Sequence, residues 1–136
     1  MNKTLRDQGL EIRKAVLGSE YVERAMAHAP AFAQPLQELI TEYCWGAIWS
    51  RPGLNRRTRS LLNLAMLTAL NRSHELKLHL RGALTNGVTP EEIQEALLQA
   101  TVYAGVPAGV EAFRCAQEVL AEHAASVSDG AASTSG

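Results

Sequence analysis

No segment of this chain alternates apolar and polar residues over the length of a strand. Between Gly18, Pro30, Pro35, Pro52-Gly53, Gly87, Pro90, Gly105 and Pro107, the apolar side chains return every three or four positions. That is the period of one buried face on an α-helix. A chain patterned in this way has only one means of covering its apolar stripes, which is to pack helix on helix. Its 136 residues are the length of one domain with one core. The expectation is therefore all-α: a compact bundle of six or seven helices forming a single domain over residues 1–125.

Start and stop signals place the elements. Leu5 to Leu17 forms the first helix, with Leu5, Ile12 and Val16 inward and Gly18 after it. A short helix capped by Ser19 carries Tyr21, Val22 and Met26. The third runs from near Pro35 to about Trp49, with Leu36, Leu39, Ile40, Tyr43 and Ala47 on one face. Asn55 caps a fourth, from about Arg56 to Leu70. Its second half, LLNLAMLTAL, is apolar nearly all round, so it is either central to its domain or covered by another subunit. Asn71-Arg72-Ser73 breaks the chain, and Ser73 caps a helix from about His74 to Thr85; the two flanking helices form an α-hairpin. Thr89-Pro90-Glu91-Glu92 starts the next, with Thr89 as cap, Pro90 in the first position and Glu92 closing a capping box. It reaches about Tyr103, and a last helix follows from about Ala108 to Ala124. Residues 126–136 are rich in Ser, Ala and Gly, lack an apolar face and are expected to be disordered.

Charge and composition exclude several classes. Lys and Arg number 13 against 14 Asp and Glu, a net charge of −1, which removes the electrostatic case for nucleic acid or an anionic membrane as partner. The first residues, MNKTLRDQGLEIRK, hold no apolar core of the signal-peptide kind, and Leu61 to Leu70 is about half a membrane span. Two cysteines, Cys44 and Cys115, are too few for a disulfide framework and have no CxxC spacing. The chain is expected to be cytoplasmic. No GxSxG and no glycine-rich phosphate loop occurs, so hydrolase and nucleotide-dependent chemistry lack support.

The densest cluster of reactive side chains is His74-Glu75-Leu76-Lys77-Leu78-His79. Glu75 and His79 are one turn apart on a common face. There the carboxylate orients the imidazole and favours its charged form, making a proton donor near neutral pH. The bland alternative is a surface pair, the commoner use of this spacing. His74 is five positions before His79, off that face but at the helix start. Two histidines so spaced do not chelate one ion from a regular helix, so no metal is expected. Arg51, Arg56, Arg57, Arg59, Arg72 and Arg81 crowd the hairpin and the turn before it. Most suit a solvated basic stripe, but one or two could bind the carboxylates of a small anion through their planar forks. Tyr43, Trp45 and Trp49 flank the turn at Arg51 and could wall such a pocket, or serve as ordinary core.

These blocks also carry a resemblance. From Glu42 to Phe113, the runs WSRPGL, the Arg59 helix, HELKLH, GVTPEE and YAGVPA occur in the order found in the carboxymuconolactone decarboxylase family, and Arg24 to Leu39 is similar as well. The wider alkylhydroperoxidase D-like superfamily includes peroxidases with a CxxC before the shared histidine and a relay glutamate. Aligned through His79, those positions are Arg72, Glu75 and Ser60, so the peroxidase chemistry does not transfer.

The resemblance implies a homo-oligomer, a trimer or hexamer, that uses no cofactor. The implied reaction converts gamma-carboxymuconolactone to beta-ketoadipate enol-lactone and CO₂ in the protocatechuate branch of aromatic breakdown. On that template Arg59, with Arg51 or Arg72 as second candidate, anchors a substrate carboxylate, and Tyr43 and Trp45 shape the pocket. His79 gives the proton, steered by Glu75. His74 hydrogen-bonds the lactone oxygen or exchanges roles with His79. The alternatives are a related small-lactone or keto-acid enzyme on the same scaffold, and a helical oligomer without catalysis.

Overall fold

The computed structural model describes residues 4–134, with side chains through residue 130. Among these residues are seven α-helices and no strand: α1 (Leu5–Leu17), α2 (Ser19–Ala27), α3 (Gln34–Leu39), α4 (Arg56–Ala69), α5 (Ser73–Thr85), α6 (Pro90–Ala104) and α7 (Val106–Thr134). A 3₁₀ turn, Ala31–Ala33, precedes α3, and a π-helical segment, Ile40–Ile48, continues it. The all-α class is the one that the periodicity predicts. The chain falls into two compact units that adjoin in sequence between Arg59 and Ser60, each with its own apolar cluster.

In the first unit α1 packs backbone against backbone on the π-helical segment. A Cβ added to Gly9 would lie 1.9 Å from the Thr41 carbonyl oxygen, and one on Gly46 would lie 2.3 Å from that of Leu5. Only glycine permits so close an approach. Ile12, Val16, Trp45 and Trp49 cluster around this contact, and the two indoles stack with centroids 4.6 Å apart. Arg13 is buried beside them at 5% exposure. Its Nη1 donates to Gln37 Oε1 at 3.0 Å and to Thr41 Oγ1 at 3.2 Å, while burial pushes its pKa below the ordinary arginine value.

Several sequence expectations are corrected in this unit. Leu5 is exposed, and Gly9 and Arg13 take inward places beside Ile12 and Val16. Ser19 is the first residue of α2 and makes no capping bond. The third helix changes type: Trp49 N donates to Cys44 O, five residues back, at 3.0 Å. The face predicted for it from α-periodicity holds only in part. Ile40 and Ala47 are half-buried, with Ile40 against the core cluster, but Thr41, Trp45, Gly46 and Trp49 take the buried places and Leu36, Leu39 and Tyr43 are exposed. Widening the turn rotates each successive side chain away from its α-helical place.

Asn55 caps α4 as predicted, accepting from Thr58 N at 2.8 Å. In the second unit Leu64 from α4 joins Leu76, Leu80, Ile93, Leu97 and Val119 in one cluster. The predicted capping box opens α6: Thr89 Oγ1 accepts from Glu92 N at 3.1 Å, and Glu92 Oε1 from Thr89 N at 3.0 Å. Ser73 is not the cap of α5. It lies within the helix, and its hydroxyl donates to Glu111 Oε1 of α7 at 2.9 Å. Lys77–Glu118 at 2.6 Å and Arg81–Glu122 at 3.1 Å continue the α5–α7 register.

α7 extends past its predicted end at Ala124 to Thr134, a stretch that holds no proline and several alanines. All side chains from 121 to 130 are exposed, so local propensity rather than burial supports this turn-by-turn continuation. Two apolar stripes stay uncovered: Leu62 and Met66 on α4 with Leu70 just after it, and Val102, Tyr103, Val106 and Val110 around the α6–α7 turn. Among the described residues no helix is long and apolar enough to cross a membrane.

Candidate functional site

The predicted site residues fall into two groups, one in each unit. In the second unit, α5 carries Glu75 and His79 one turn apart. His79 is half-buried, while Glu75 and His74, in the first turn, are exposed. Arg72 precedes the helix, is exposed, and accepts from Leu76 N through its carbonyl at 2.8 Å.

Two influences act on the His79 ring in opposite directions. Burial lowers its pKa, Glu75 raises it, and burial is the larger. The expectation that Glu75 holds an imidazolium near neutral pH is therefore corrected, because the loss of water around the ring outweighs one exposed carboxylate. A further neighbour is Asn63 of α4, whose amide nitrogen lies 3.5 Å from His79 Nδ1. It is the one amide in LLNLAMLTAL. That polar interruption of an apolar run was the available signal for it.

In the first unit, Arg59 and Arg51 come together. Arg59 Nη2 donates to the Arg51 carbonyl at 3.1 Å, bracing the turn before α4. Arg59 Nε is shielded from solvent and has no hydrogen-bond partner. Such an orphaned donor is costly, and a carboxylate is the group that best satisfies it. Arg51 borders an open cleft of about 620 Å³ together with Gln8, Trp49, Asn55 and Arg56. The sequence left Trp45 open between pocket wall and core. At 3% exposure it is core, and Trp49 stacked on it is the indole that meets the cleft. Tyr43 is 63% exposed on the π-helical segment. Among the described residues no three His, Cys, Asp or Glu side chains gather as a metal site would require.

Residues 34–118 match the model of the Carboxymuconolactone decarboxylase family, a span that includes every candidate residue named above except Gln8. The chain is 50% identical over 120 residues to nitrosuccinic acid decarboxylase npaB of Metarhizium robertsii, covering 88% of this chain and 84% of that protein. It is 47% identical over 113 residues to 4-carboxymuconolactone decarboxylase of Acinetobacter baylyi, covering 83% of this chain and 84% of that one.

Proposed function

This chain belongs to the carboxymuconolactone decarboxylase family, and we propose that it is a carboxy-lyase converting gamma-carboxymuconolactone to beta-ketoadipate enol-lactone and CO₂ in protocatechuate breakdown. The observation that carries this reading is the 47% identity to 4-carboxymuconolactone decarboxylase across 83% of the chain.

The substrate contains its own electron sink. The departing carboxylate sits on a ring carbon that is joined through the ring double bond to the lactone carbonyl. As CO₂ leaves, the electrons of the breaking C–C bond pass through that double bond to the carbonyl oxygen. A proton on the ring carbon then returns them. The protein holds a dianion, stabilises the dienolate and supplies the proton. Arg59, with its unpartnered Nε, anchors the carboxylate that stays, with Arg51 or Arg72 as the second anchor. The departing carboxylate is gripped less, since a strong ion pair there would stabilise the ground state. His79 and His74 divide the hydrogen bond to the lactone oxygen and the proton to carbon, and Glu75 steers His79. Tyr43, and Trp45 through Trp49, shape the substrate's surroundings.

The enzyme works as a homo-oligomer, a trimer or hexamer, in the cytoplasm. The uncovered stripe of Leu62, Met66 and Leu70 along α4 and its end supports a neighbouring copy, and two free cysteines suit a reducing compartment.

A second reading rests on the 50% identical nitrosuccinic acid decarboxylase. A nitro-substituted succinate is likewise a dianion whose leaving carboxylate adjoins an electron sink, so the same residues would serve. The test offers purified protein each compound in turn and follows CO₂ and substrate loss. Faster turnover of the lactone is expected, faster turnover of nitrosuccinate would move the assignment to the second reading, and turnover of neither would overturn both. His79→Ala should lower lactone turnover about 10²–10⁴-fold, whichever role the ring plays.

A further inference from the structure

The geometry points to Asn63 as the residue that decides which nitrogen of His79 carries the proton, and so which of the two imidazoles donates to oxygen and which to carbon. Asn63 projects from α4 toward α5 and places its amide nitrogen 3.5 Å from His79 Nδ1. An amide nitrogen only donates, so the contact is a hydrogen bond only when Nδ1 presents its lone pair. In the neutral ring the proton then resides on Nε2. Protonating Nδ1 as well would set one N–H against another, so Asn63 opposes the imidazolium.

The consequence for the reaction follows from the proton count. A neutral ring that gave up its Nε2 proton to carbon would become imidazolate, which is far too basic to form here. The same Nε2–H is well suited to hydrogen-bond the lactone oxygen as charge gathers there. His79 is then the donor to the dienolate oxygen. The proton that goes to the ring carbon comes from a second acid, and His74 at the start of the same helix is the available imidazole. Asn63 is a positioning residue, acting on the reaction through His79. It interrupts the mostly apolar run LLNLAMLTAL, and among the described residues the contact that its amide makes is the one to His79.

The catalytic half of this inference rests on the decarboxylase reading; the tautomer half does not, and the experiment keeps them apart. ¹⁵N NMR of the histidine ring in the free, full-length protein distinguishes a protonated ring nitrogen from a bare one. The wild-type ring of His79 is expected to carry its proton on Nε2, and a proton on Nδ1 would overturn the inference. Asn63→Ala should give a mixture of tautomers. Asn63→Asp, which replaces a donor with an acceptor, should move the proton to Nδ1. A ring unchanged in both variants would show that Asn63 merely packs. In turnover, Asn63→Ala should lose about 3–10-fold in kcat at unchanged KM, the scale of one neutral hydrogen bond. An altered tautomer with unaltered kcat would reject the role in catalysis while leaving the tautomer assignment intact, and a variant reduced only in thermal stability would reject both.

Discussion

At His79 the chain sets a carboxylate and a dry environment against each other, and the dry environment prevails. The sign of the resulting pH dependence follows. The unfolded ring titrates near 6.5, the folded one lower. Above about pH 6.5 the ring is neutral in both states and its contribution to stability is complete. As pH falls through the folded value the native state must accept a charge it disfavours, and that contribution is lost. Urea unfolding between pH 7 and 5 should therefore show a steeper loss of stability for wild type than for His79→Gln, and equal slopes would count against a depressed His79. Arg59 gives a second prediction at this scale. Removing a charge-assisted anchor in Arg59→Ala should reduce kcat/KM about 10–100-fold, mostly through KM. Arg59→Lys should restore little of it, because a point charge does not replace a planar fork. The residue types and the Glu75–His79 spacing were legible in the sequence. The direction of the His79 shift was not, since burial is set by residues remote along the chain, and neither was Asn63, which reads as a blemish in a greasy helix until α5 is placed beside it.

Among the elements, legibility followed how local the determining interaction is. Asn55 and the Thr89–Glu92 box act over three residues, and both caps form as predicted. Ser73 had the right chemistry for a cap but a carboxylate on α7 takes its hydroxyl. The π-helical segment was invisible to α-periodicity, because its reason lies in α1. Gly9 and Gly46 let two backbones meet, and Arg13 binds Thr41 and Gln37 where the wide turns begin. Gly9→Ala places a methyl group 1.9 Å from a backbone oxygen that has no side-chain freedom to yield. A loss of about 3 kcal/mol is expected, read as a lowered urea midpoint, whereas a loss below about 0.5 kcal/mol would mean that the segment readily shifts away.

For the molecule as a whole, the apolar surface decides the behaviour in solution. The sequence allowed the 61–70 helix to be either central or covered by a second chain. Leu64 and Thr68 are buried while Leu62, Met66 and Leu70 are not, so one side of the helix is central to its unit and the other is left for the second chain that the proposed oligomer would supply. Met66→Lys puts a charge in the middle of the uncovered stripe. Light scattering should report a smaller assembly for this variant, with helical circular dichroism retained; an unchanged mass would place the contact elsewhere, with the stripe around Val102 and Tyr103 next in line.

The far end of α7 invites a practical use. From residue 121 to 130 it buries nothing, yet it emerges from a helix whose earlier turns are seated in the second unit's core. A dye, affinity label or surface tether joined after this stretch would be carried on a short rod, held clear of the core that seats its earlier turns by its own hydrogen-bonded backbone.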